Sequence, residues 1–348
     1  MGLMGLRSYV TRRLMLTVPT LLGVTILIFA IIQFLPMNMR AMMYITDIKE
    51  LGNLPKLIQE HGLDQPLYVQ YLRWLQGVIM DHTLGADRYN QPVYDAIVSR
   101  LPASVELAIY SIPIIVLIGV TFGSAAATHK DKALDHMTRL LAIMGTSLPS
   151  FWEGIVLLSV FFAGLGWFPP QRWSPSVNLY VSDPNSSWKW YTHLITVDGL
   201  LNGRLDITLD GLRHLVLPVT VITLLNIALI MRVMRSSMLE SLGKEYVVAA
   251  RARGLTEKEV IAKHARRNAL IPVITLSGLL AAGLLTGVVI TETVFDLKGI
   301  GAYAAESAAV PDIPVILAYA LLSGIVFTLA NLIVDILYAY VDPRIRLE

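Results

Sequence analysis

Four stretches of this chain run for more than twenty residues without a charged side chain: Leu14–Phe34, Leu107–Thr128, Ala269–Thr291 and Ile313–Val334. Crossing ~30 Å of hydrocarbon as a helix takes about 20 mostly apolar residues, so each run is long enough to span a bilayer. A fifth run, Leu215–Met231, spans if Leu212 and the stem of Arg232 extend it by snorkelling. A sixth, Leu140–Phe168, carries one charge, Glu153. The sequence therefore predicts an all-α integral membrane protein with six transmembrane helices. Composition agrees: 16% of residues are charged, against about 25% in soluble proteins. A soluble enzyme and a disordered chain are both excluded. The first span follows Arg7, Arg12 and Arg13 like a signal peptide, but its apolar core is too long and no small-residue cleavage site follows it. It is expected to remain as an anchor.

Basic residues fix the expected sidedness. With the N-terminus inside, the inner segments 1–13, 129–139, 232–268 and 335–348 hold 17 of the 28 Lys and Arg residues, as the positive-inside rule requires. The reverse orientation places the densest basic loop outside. The expected topology is N-in, C-in.

Outside lies a stretch from Leu35 to Glu106. Between Pro55 and Gly77 its apolar residues recur at helical spacing, and Asp64-Gln65-Pro66 reads as an N-cap with proline in the first turn. A small extracytoplasmic helical domain is predicted there. The second outer loop, about 165–210, contains Trp167, Trp173, Trp188 and Trp190, which are expected at the interface as an aromatic belt.

The chain carries no signature of chemistry. The spacing Gly278–Gly283 has Leu284 and Leu285 where a phosphate-binding loop needs Lys and Ser/Thr; Gly283-x-x-x-Gly287 reads better as close helix packing. No paired-histidine metal spacing and no nucleophile elbow occurs. With no cysteine, thiol catalysis and thiolate metal sites are excluded. No catalytic, cofactor or metal residue is assigned.

The informative segment is the longest inner loop, Arg232 to Asn268. It reads as two short helices broken at Gly254-Leu255-Thr256. Gly254 suits the position just past the first helix, and Thr256 with Glu259 forms a capping box for the second. Val247, Ala250 and Gly254 share a face whose small side chains permit close approach by another protein. Arg251, Arg253, Arg266 and Arg267 can hold acidic groups or lipid phosphates. A basic loop that merely obeys positive-inside needs neither the small face nor the cap.

Val248-Ala249-Ala250-x-x-x-Gly254, ending in Asn268-Ala-Leu-Ile-Pro272, resembles the EAA loop of ABC-importer permeases. The long gap from Gly254 to Pro272 is similar to that of the dipeptide/oligopeptide/nickel branch. Arg12-Arg13-Leu14, Gly62-Leu-Asp-Gln-Pro-Leu67, Ser147-Leu-Pro-Ser-Phe-Trp152, Arg235-Ser-Ser-Met-Leu-Glu240, Thr291-Glu-Thr-Val-Phe295 and Asp342-Pro-Arg-Ile-Arg346 extend the resemblance over the whole chain. The chain departs from the family at Pro36-Met37-Asn38, where Gly-Asp-Pro is usual. It departs again at Lys298, where proline is common, and at Glu153, where an apolar or aromatic residue is expected.

The resemblance implies a type I ABC importer transmembrane domain in a prokaryotic inner membrane. It implies as partners a homologous second permease, two ATP-binding subunits that hold ATP and magnesium, an extracytoplasmic binding protein and membrane lipid, with no nucleic acid. Cargo is implied to be di- or oligopeptides, with oligosaccharides or nickel as alternatives. Expected segments are an inner N-terminus (1–13), a first span (14–36), the outer domain (37–106), a five-span core (107–338) and an inner C-terminus (339–348). The core includes outer loop 169–211 and coupling loop 236–272. Glu245, Ala249, Ala250, Arg251, Gly254 and Leu255 are the expected ATPase contacts, and Glu153 is a candidate for the transport pathway or for helix packing. A secondary transporter predicts inverted repeats with midplane ion ligands, and no duplication of three-span halves is found. A membrane receptor would not need the small-faced loop.

Overall fold

A computed structural model of the chain describes residues 6–43, 54–310 and 312–341. Among these residues the structure is helical, apart from one bridge between Ala86 and Pro92. In chain order the helices are α1 (Leu6–Gln33), α2 (Met37–Met42), α3 (Leu54–Glu60), α4 (Leu67–Met80), α5 (Val93–Thr128), α6 (Ala133–Ser147) and α7 (Ser150–Leu157). They continue as α8 (Pro175–Ser182), α9 (Ile195–Leu201), α10 (Leu205–Leu242), α11 (Glu245–Ala252), α12 (Glu257–Glu259) and α13 (Arg266–Leu285). The last three are α14 (Val289–Val294), α15 (Ile300–Ala309) and α16 (Ile313–Val341). Five helices are long and apolar enough to cross a membrane: those covering Val10–Gln33, Val93–Thr128, Leu205–Leu242, Glu257–Leu285 and Ile313–Leu337. The motif Asp342–Arg346 and the expected C-terminal segment from 342 lie outside the described residues.

The expected single span 140–168 is corrected. Pro149 lacks an amide hydrogen and disfavours helical geometry at Leu148, so the run breaks into α6 and α7, the latter continuing as a π-helical stretch Leu158–Gly164. The broken element still runs beside α10 from Arg213 to Arg235. Asp135 at its start meets Arg235, and Arg213 donates to the carbonyl oxygens of Gly166 and Trp167 just beyond its end. At 1.5 Å per residue, Arg213 to Arg235 is about 33 Å along the helix.

The core is α5 against α10, running parallel. Gly119 lies against Ile230, and a Cβ at Gly123 would come within 2.8 Å of the Met231 carbonyl and the Met234 side chain. In lipid there is no water to drive helices together, so close van der Waals approach through small residues holds them. This pair, Gly119-x-x-x-Gly123, is the close-packing motif of the fold. The expectation for Gly283-x-x-x-Gly287 is overturned. Gly283 faces open space, and Gly287 sits in a turn (φ 107°) against the backbone of Gly301. On α13 it is Gly278 that admits Val334 of α16.

Two further expectations change. Asp64 caps nothing: Pro66 is itself the N-cap of α4, and a left-handed turn at Gly62 separates α3 from α4. Trp173, Trp188 and Trp190 form no belt, for Trp190 packs on both of the others at 6.2 and 5.3 Å between ring centres and Trp188 is buried. They are the small core of the segment between α7 and α10, shared with Ile195 and Ile207. Trp167 stays exposed.

Candidate coupling site

α10 leaves the core with Met234 and Met238 fully buried and ends at Leu242-Gly243. α11 then starts with Glu245 in its first turn, where a carboxylate suits the positive end of the helix. Val247 and Ala250, three residues apart, are buried. They belong to one cluster with Val260, Ala265 and Ala269 of the segment that follows. The small-residue face thus packs on this chain itself and is not free for another protein. Ala250 is accordingly a packing residue, which corrects its expected role as a contact. The outward face carries Glu245, Tyr246, Val248, Ala249, Arg251 and Ala252, with Leu255 exposed beyond the helix.

The break after α11 follows the expectation. The Gly254 amide donates to the Arg251 carbonyl at 2.9 Å, and Gly254 has φ +79°, a left-handed conformation that costs other residues a steric clash. Its own Cβ position is open, with nothing within 4 Å. Thr256 caps the next helix: the Glu259 amide donates to its hydroxyl at 3.4 Å, and the Thr256 amide donates back to the Glu259 carboxylate at 3.3 Å. Across the turn the Arg251 guanidinium donates to both oxygens of Glu257, at 3.0 and 2.7 Å. Arg251 is therefore already paired within the chain. A π-helical stretch, Val260–Ala265, then leads without interruption into α13. The result is a short helix on a stiff turn, mechanically continuous with two long helices.

Carboxylates that the sequence reading did not single out hold the rest of the frame. Asp135 accepts two bonds from Arg235 (2.6 and 2.8 Å) and two from Arg139, tying α6 to the end of α10 nearest the loop. At the other end Glu106 of α5 accepts from Arg172 at 3.0 Å and from Thr196, fixing the segment between α7 and α10. Glu292 is wholly buried and accepts from Ser104 (2.6 Å), the Val288 amide and the Ala302 amide at the start of α15. A Cβ at Gly299 would strike this carboxylate, so glycine is required. A charged residue amid apolar neighbours is the sequence signal available at Glu106 and Glu292, as at Glu153.

Glu153 lies in the first turn of α7, 7% exposed, with Oε2 lacking a partner among the described residues. It is enclosed within this chain, not set on an open surface. Lys298 has φ +50°, which proline, locked near −65°, cannot adopt. The departure there goes with a different turn.

Residues 119–347 match the family described as binding-protein-dependent transport system inner membrane component, and residues 6–108 match the N-terminal region of such membrane components. The chain is 36% identical to a dipeptide transport system permease protein, DppB, of Alkalihalophilus pseudofirmus, over 97% of this chain and 99% of that protein. It is 34% identical to the oligopeptide permease AppB of Bacillus subtilis, covering 97% and 99%, and 35% identical to DppB of Escherichia coli, covering 97% and 98%. With long apolar helices, a stiff basic loop and a family match over most of its length, the chain belongs to the inner membrane components of binding-protein-dependent transport systems: it is a non-catalytic, multi-pass permease without a cofactor of its own.

Proposed function

We propose that this permease forms one half of the translocation pathway of an ATP-driven importer of di- and oligopeptides. The names of its relatives support the cargo. The fold is read as a type I importer domain of six crossings, N-in and C-in, with α6, α7 and the π-helical stretch together as the broken third crossing. The length that α6–α7 shares with α10 supports this count. α2, α3 and α4 then belong to the outer domain, and α8 and α9 to the outer loop. A binding protein delivers cargo to that face, a homologous second permease supplies the other half, and two ATPases attach inside.

The observation that carries this reading is the α11–Thr256 unit: a rigid, outward-facing helix end closed by a left-handed glycine and a capping box. Its outer residues, Glu245, Val248, Ala249, Gly254 and Leu255, contact an ATPase, while Arg251 stiffens the turn through Glu257. Closure of the ATPases on ATP draws the two coupling helices together, and α10 and α13 carry that displacement into the membrane as a rigid-body switch.

The test is the purified complex in proteoliposomes with peptide-loaded binding protein. Peptide-dependent ATP turnover and uptake are expected in the wild type. Val248→Asp and Leu255→Asp are expected to abolish the stimulation while the chain stays inserted. Normal uptake in both variants overturns the coupling assignment, and stimulation by an oligosaccharide or nickel in place of peptide overturns the cargo.

A further inference from the structure

At the end of α1 a buried cation has no anionic partner among the described residues. Arg40, in α2, is 9% exposed. Its Nη1 donates to the amide oxygens of Gln33, at 2.5 Å, and Gln70, at 2.9 Å, while Nε is buried with no acceptor among the described residues. Both acceptors are neutral. The Gln70 side chain is itself fixed, because its NH2 group donates to the Leu63 and Gln65 carbonyls at 2.9 and 2.6 Å, which turns its oxygen toward Arg40. A buried charge is costly unless it is paired, so an arginine placed with this care and bonded, among the described residues, only to neutral acceptors points to an anion from outside the chain. A cavity of about 200 Å³ adjoins it, lined by Arg40, Arg73 and Trp74 among others.

We propose that this cavity binds the phosphate group of a membrane phospholipid, the guanidinium of Arg40 serving as its principal donor. Two observations favour a lipid over free phosphate. The cavity is lined by Phe29, Ile32 and Gln33, the last turns of a helix that can cross the membrane between Val10 and Gln33. It therefore lies at headgroup depth. Exposed Glu60 and Asp81 also line the cavity, which disfavours a free dianion and suits a headgroup that carries an amine. The inference concerns a different end of the molecule from the coupling loop and does not depend on the cargo.

The experiment uses the purified transporter complex, stripped of lipid in detergent. Added phosphatidylethanolamine is expected to raise the melting temperature of the wild type, and mass spectrometry of the extracted complex is expected to find retained phospholipid. Arg40→Gln removes one charge-assisted contact, so binding is expected to weaken about ten- to hundredfold. Arg73→Gln, at the exposed rim, keeps the fold and serves if Arg40→Gln does not assemble; a smaller but distinct loss of affinity is expected. An equal response to phosphatidylethanolamine in the wild type and in both variants overturns the proposal. Stabilisation of the wild type by inorganic phosphate alone, to the same extent as by lipid, overturns the lipid as the source of the anion.

Discussion

Single residues decide the coupling turn. Gly254 is needed for its backbone, since φ +79° puts any Cβ-bearing residue into a strained region costing roughly 1–2 kcal/mol. The space around it is open. Gly254→Asn, which tolerates the left-handed region, should retain most ATP-coupled uptake, Gly254→Ala should lose a modest part, and Gly254→Trp should lose nearly all by blocking the docking face. Uptake measured across this series separates backbone from surface: a full loss already at Ala assigns the whole effect to the turn. Glu153 is argued from burial. It is 7% exposed with one oxygen unpaired among the described residues, and an ionised carboxylate deep in a bilayer costs about 3 kcal/mol on insertion scales. Enclosure within the chain favours a packing role. Glu153→Gln should then leave uptake of cationic peptides unchanged, while Glu153→Leu lowers the yield of assembled complex. A selective loss of cationic cargo in Glu153→Gln would return the residue to the pathway.

At the scale of elements, α5 and α10 are held by a shape match with no polar bond in it. A leucine at Gly123 would collide with the Met231 carbonyl, which is backbone and cannot yield. Gly123→Leu should therefore force α5 off α10 and cost at least the 1–3 kcal/mol typical of overpacking, seen as a lower melting temperature of the detergent-purified complex. Gly283→Leu, facing open space, is the control and should melt near the wild type. The capping box at Thr256 was legible because its pieces are local: a hydroxyl and a carboxylate three residues apart serve each other's amides. Ala250 was misread because the sequence shows which residues share a helix face but not what that face meets. Here it meets Val260 and Ala265 of the same chain.

For the whole molecule the prediction is topological. The chain has no cysteine, so single cysteines at Gln59, Ser182 and Thr256, all exposed positions, report sidedness without background. An impermeant thiol reagent applied to intact cells should label positions 59 and 182 and spare 256; labelling of 256 reverses the orientation. Much of this architecture was readable in the sequence alone. Bilayer thickness sets a minimum apolar length, and the loop's glycine and capping residues act within a few positions of themselves. The sequence by itself thus determined the helical membrane class, the four uncharged spans and the broken coupling loop. Only the tertiary structure decided the rest. Pro149 divides the apolar run 140–168 where hydropathy is continuous, and only the packed chain shows that the two pieces still line up along α10. Asp135, Glu106 and Glu292 become ties because partners 66 to 188 residues away in sequence arrive beside them. Arg40 becomes a buried charge held by the neutral amides of Gln33 and Gln70 only once α1 and α4 close around it. Pairings of this kind depend on which helices become neighbours, and helix packing in lipid is settled by surface shape that no periodicity encodes.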